Sequence, residues 1–93
     1  MDEEDWLGLS VRARDGRALG VVVGVFTAGP LAGRLRVEGA YARGTRAPRD
    51  SIAVYAIPRR AVVRRQQDSL LLDVSLTVAR GRWLMHVRQR NGP

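Results

Sequence analysis

Two strand-like runs joined by a very short turn constrain this chain more than any other feature. Leu9 to Arg14 alternates, with Leu9, Val11 and Ala13 on one side and Ser10, Arg12 and Arg14 on the other, the period of a half-buried strand. Asp15-Gly16 follows at once, and glycine accepts the positive φ that hairpin turns demand. Leu19 to Thr27 then reads as a long second strand rich in Val21, Val22, Val23 and Val25. Gly20 and Gly24 interrupt it and predict sharp bends or bulges. Bends of that sort close small barrels.

The same period continues downstream. Ala28 to Gly33 is a turn, and Arg34 to Glu38 a short third strand with Leu35 and Val37 inward. Gly39 to Ser51 has no clean period and contains glycine, proline and three arginines, so it reads as the longest loop. Ile52 to Ile57 makes a fourth strand ended by Pro58, which supplies no backbone donor. Ala61 to Gln66 and Leu70 to Val74 form a fifth and sixth around Gln67-Asp68-Ser69. Six short strands at this spacing predict an all-β fold, a six-stranded barrel or a sandwich. From Ser75 onward Ala79, Trp83 and Val87 recur every four residues near Leu76, Leu84 and Met85, which predicts a short C-terminal helix capped by Ser75 or Thr77. Gly81 weakens that helix, and Trp83, Met85 and Val87 also alternate as a strand would. The organisation expected is an acidic head over 1–8, a barrel over 9–74 and a helical tail over 75–93.

Composition narrows the function. The chain has 93 residues, 16 arginines, no lysine and no cysteine. Its size suits one compact core, and the missing thiols exclude disulfides, thiol nucleophiles and Cys-ligated metal. Four of the nine acids fall in the first five residues, so residues 6–93 carry sixteen basic and five acidic side chains, +11. Codon usage in a GC-rich genome is one account of so many arginines; a polyanion-binding surface is the other. The acidic head is a candidate to fold back onto that surface. No apolar run approaches the roughly 20 residues needed to span a bilayer, and the acidic start is unlike a secretory signal; a cytoplasmic location without membrane insertion is expected.

Catalysis needs converging titratable groups, and few are offered. Asp15, Asp50 and Asp68 sit in predicted turns, where turn formation explains them. His86 stands without a carboxylate or second imidazole at helical spacing. No serine lies in a Gly-x-Ser-x-Gly context, and no phosphate-binding glycine loop occurs. The expectation is a non-enzyme without cofactor or metal. Binding remains. Arg12, Arg14, Arg34 and Arg36 share the outward parity of strands one and three, and Arg59-Arg60 and Arg64-Arg65 bracket the fifth strand. These eight are the candidate partner- or polyanion-binding residues, joined in a basic stripe if their strands adjoin. Trp83 and Leu84 are candidates for docking the tail across a barrel end or for joining two protomers.

The run Val11-Arg12-Ala13-Arg14-Asp15-Gly16, followed by Leu19-Gly20-Val21-Val22-Val23, resembles the opening strand, Asp-Gly turn and Leu-Gly-x-Val strand of the PRC-barrel superfamily. That superfamily is named for the cytoplasmic domain of the photosynthetic reaction-centre H subunit and shared with ribosome maturation factors. Leu35-Arg36-Val37, Ile57-Pro58 with Ala61-Val62-Val63, and Leu70-Leu71-Leu72-Asp73 continue the likeness, which covers residues 9–74. The resemblance implies a small bent barrel serving as an adaptor for proteins or ribosomal particles, with no shared catalytic residues. Neither the transmembrane helix of the first setting nor the N-terminal barrel of the second is present in this sequence. The expected function is therefore a stand-alone adaptor that binds a protein, an acidic one being a candidate, and self-associates as a homodimer. The alternative is an RNA- or ribosome-associated factor engaging phosphates through an arginine-rich face.

Overall fold

The computed structural model describes residues 6–41 and 51–89. Residues 1–5, most of the expected Gly39–Ser51 loop and the final Asn91-Gly92-Pro93 lie outside the described residues, and with them the idea of a head folded back on the arginines. The chain forms β1 (Ser10–Arg12), β2 (Ala18–Val25), β3 (Leu35–Ala40), β4 (Ser51–Ile57), β5 (Val62–Arg65), β6 (Ser69–Leu72), α1 (Leu76–Trp83) and β7 (Leu84–Gln89). Short 3₁₀ turns cover Gly29–Leu31 and Arg59–Ala61.

All-β with one short helix is the architecture found, but the strand count and closure differ from expectation. Among the described residues seven strands form one sheet in the order β5-β6-β1-β2-β3-β4-β7, and no pairing joins β5 to β7 to close it into a barrel. The seventh strand comes from the tail. Ser75 caps α1 by accepting a hydrogen bond from the Val78 amide at 3.3 Å, as read from the sequence. The helix ends at Trp83, and Leu84 turns extended. Leu84–Gln89 then pairs antiparallel with β4, so the tail is half helix and half strand. Both periods were present in the sequence beyond Trp83. The strand wins because β4, from Ala53 to Ile57, is buried on both faces and offers a second row of backbone groups that β7 satisfies.

The hairpin read first is confirmed in detail. Gly16 takes φ 87°, and the Gly16 amide donates to the Ala13 carbonyl at 2.9 Å. β1 pairs with β2 on one side and runs parallel to β6 on the other, which places it inside the sheet. Val11, Leu19, Val22, Leu35, Val37, Tyr55, Ile57, Leu70 and Leu72 fill the core on one face, joined by Leu76 and Ala79 of α1. Trp6 and Leu9 pack against the same core, and the Gly8 amide donates to the Val22 carbonyl, so the described part of the expected head belongs to the domain.

The expected bends have distinct origins. The register slips between Val22 and Gly24, making Val23 a bulge. At Gly20 the cause is steric: an added Cβ would fall on the Glu38 carbonyl of β3. The reciprocal position is Gly39, where a Cβ would fall on the Leu19 carbonyl. Gly39 therefore belongs to β3 and not, as its composition suggested, to a loop. Together these glycines let β2 and β3 cross backbone against backbone.

Gly20→Ala and Gly39→Ala are each expected to lower stability by about 1–3 kcal/mol or more. Gly81→Ala, at a helix position where a Cβ meets nothing within 4 Å, is expected to raise it by up to about 1 kcal/mol. Equilibrium urea unfolding measures both signs, and a neutral Gly39→Ala would contradict the crossing.

Candidate functional site

The eight arginines singled out by parity do not form one stripe. β2 lies between β1 and β3, so Arg12 and Arg36 are two strands apart. Arg12 stands opposite Ala18 and Arg36 opposite Gly24, which separates them by about 20 Å along β2. Arg14 lies in the turn after β1, exposed.

Register does unite one pair. Arg12 of β1 and Arg64 of β5 both stand opposite Leu71 of β6, in a single cross-strand row. Leu71 sits between the core residues Leu70 and Leu72, so this row faces outward. Arg12 also donates from Nη1 to the Gly16 carbonyl at 3.0 Å, which ties it to the hairpin turn. Arg65, opposite core-facing Leu70, points to the other face of this edge strand.

Arg34, Arg36 and Arg59 make structural contacts, while Arg60 lines a cavity beside α1. Arg34 Nη1 donates to the Ala56 carbonyl at 3.5 Å, and Arg59 Nε to the Gly33 carbonyl at 3.1 Å, linking the turns at one end of β3 and β4. Arg36 lies over the Phe26 ring, 5.9 Å from its centroid. Its Nε also donates to Glu38 Oε2 at 3.2 Å. Arg88 of β7 reaches the other carboxylate oxygen at 2.7 Å. Since β3 and β7 flank β4, the Glu38–Arg88 pair spans β4 on its outer face, where Val54 is fully buried opposite Glu38 and His86. Partial burial works to raise the Glu38 pKa, but the hydrogen bonds and charges of Arg88 and Arg36 outweigh it and hold the carboxyl below its ordinary value of 4.5.

Trp83 and Leu84 sit where α1 passes into β7, and both pack half-buried against the core. This is the tail-docking role. The exposed apolar side chains of β7 are Met85 and Val87, at 43% and 41% exposure. Val87 stands opposite Ala53, and the register slip opposite Val54 and Tyr55 makes Met85 a bulge. β7 is the last strand of the sheet, with partners on one side among the described residues.

Two shallow cavities flank α1. One, of about 380 Å³, is lined by Arg60, Ala61, Asp73, Arg82 and Trp83. The other, of about 350 Å³, is lined by Tyr41, Thr77, Arg80, Gly81 and Leu84. Arg80, Arg82 and Arg88 were not among the residues singled out from the sequence. No strand parity marks the first two, which lie on a helix, and the third bonds a residue fifty positions away. Among the described residues no three His, Asp or Glu side chains come together as metal ligands, and no helix is long and apolar enough to cross a membrane.

The chain matches no protein-family model, no curated protein and no solved structure.

Because the folded pKa of Glu38 is lowered, its stabilising contribution is present above the ordinary carboxylate range and disappears as pH falls through the lowered value. Glu38→Gln is expected to cost no more than about 1 kcal/mol at pH 7, because both arginines are substantially exposed. That gap should close at strongly acid pH. Thermal unfolding of both proteins at the two pH values checks it, and an equal gap at both would contradict the ion-pair account.

Proposed function

We propose that this chain is a non-catalytic, PRC-barrel-like interaction module that self-associates by pairing β7 with β7 of a second copy. The observation that carries the reading is the contrast between the two edges of the sheet. β5 holds Arg64 and Arg65 within four residues and a register slip, the charge and bulge that blunt an edge against pairing. β7 shares the register slip, at Met85, but lacks the charge along Leu84–Val87, where no arginine or carboxylate occurs. Its one arginine within Leu84–Gln89, Arg88, is drawn back over β4 to Glu38. An antiparallel β7–β7 contact is two-fold symmetric and closes on itself, whereas β7 against β5 would propagate without end. Met85 and Val87 would be buried in such a contact. The PRC-barrel likeness supports the adaptor role through the order of β1 to β6 in the chain, and the tail supplies the pairing strand in addition.

A second reading is supported by the Arg12–Leu71–Arg64 row, with Arg14 and Arg17 exposed in the adjoining hairpin turn. Two guanidinium groups on one outward row fit the phosphates of an RNA strand.

Sedimentation equilibrium distinguishes the readings at the β7 edge. Wild type is expected to be a dimer at micromolar concentration, Val87→Arg a monomer, and Val63→Arg on the opposite edge still a dimer. A monomeric wild type ends the pairing proposal. For the second reading, the double variant Arg12→Gln/Arg64→Gln is expected to flatten the log–log salt slope of single-stranded RNA binding by about 1.4; an unchanged slope removes it.

A further inference from the structure

We propose that the cavity between α1 and Tyr41 is a binding site for a single carboxylate group, with Arg80 as the residue that receives it. The site differs from the β7 edge and does not depend on self-association.

Arg80 is held on two sides. Its Nε donates to the Tyr55 hydroxyl at 3.4 Å, and Tyr55 is fully buried. Its guanidinium carbon lies 5.0 Å from the centroid of the Tyr41 ring, a cation–π geometry. Ala79, the preceding residue, is buried in the core, so the backbone that carries Arg80 is anchored. A long, rotamer-rich side chain is thereby fixed before any ligand arrives, which removes the ordering cost of binding.

The guanidinium still has capacity. It is planar and carries five N–H donors, of which Nε is committed to Tyr55 and the ring face to Tyr41. No carboxylate among the described residues pairs with it, and Glu38 is taken up by Arg36 and Arg88. No hydrogen bond among the described residues takes up the Nη groups, and Arg80 itself lines a cavity of about 350 Å³. Thr77, one turn earlier on α1 and also lining the cavity, adds a hydroxyl on the same helix face.

The chemistry favours a carboxylate over a phosphate. Arg80 supplies the only formal charge among the described lining residues, so a monoanion is neutralised and a phosphate dianion is not. Two coplanar oxygens match the two Nη groups. Leu84 and Tyr41 furnish apolar walls suited to the methylene groups of an aspartate or glutamate side chain.

The test is a nuclear magnetic resonance titration of the ¹⁵N-labelled full chain with N-acetylglutamate α-amide, which bears one carboxylate, at constant ionic strength. The Arg80 Nε–H signal and the Thr77 and Gly81 amides are expected to shift together and to saturate. Arg80→Gln and Arg80→Lys are expected to weaken half-saturation at least tenfold, the lysine variant because it keeps the charge but loses the fork. Tyr41→Leu, which leaves α1 untouched, should weaken it several-fold, with an otherwise unchanged spectrum showing that the fold persists. Sodium chloride and inorganic phosphate serve as comparison probes. A chloride response of equal size, retention of binding in Arg80→Lys, or tighter binding of phosphate than of the carboxylate would each overturn the assignment.

Discussion

The architecture depends on the close crossing of β2 and β3 at Gly20 and Gly39. Neither position has room for a Cβ, because each would meet a carbonyl of the other strand. That contact sets where the sheet bends, and the bend lets the core faces of β1, β6, β3 and β4 meet around Val11, Leu35, Tyr55 and Leu70. The Val23 bulge a few residues later re-aims the rest of β2. A chain of this size has little core to spare, so two glycines in contact decide much of its packing.

β4, the neighbour of β3 in the sheet, is buried on both faces. Its inner side belongs to the core, and its outer side lies beneath the Arg36–Glu38–Arg88 cluster. A strand so enclosed needs a hydrogen-bonded neighbour on each side. β3 supplies one and β7 the other. The cost is that the sheet now ends in β7, whose own outer row of backbone groups and whose Met85 and Val87 side chains have no cover among the described residues. The self-association proposed through β7 would answer that imbalance, and would arise from the same segment that completes the core.

Alternation and turn chemistry made most of the strands legible. The Asp15-Gly16 hairpin, the inward positions Val11, Leu35 and Val37, a helix cap at Ser75 or Thr77 and an interruption of the strand at Gly20 could all be read from local pattern. Three features could not. Gly39 looks like loop composition because the reason for it is a carbonyl of another strand, twenty residues away at Leu19. Leu84–Gln89 satisfies helix and strand periods alike, and the decision rests with β4, a partner no local window contains. Outward parity grouped Arg12 with Arg36, but parity says nothing of strand order, and β2 intervenes. The row that does form, Arg12 with Arg64, needs the parallel β1–β6 pairing, whose sequence separation hides it. The Tyr41–Arg80–Tyr55 arrangement likewise unites three elements that carry no shared motif.

The central claim is that β7 is a live edge awaiting its own copy. Amide hydrogen exchange along Leu84–Gln89, followed as a function of protein concentration, tests it most directly. Alternate amides bond to β4 and stay protected throughout. The account predicts that the intervening amides, which face away from β4, exchange rapidly in dilute solution and become protected as concentration rises through the micromolar range. Rapid exchange of those amides at every concentration would contradict it.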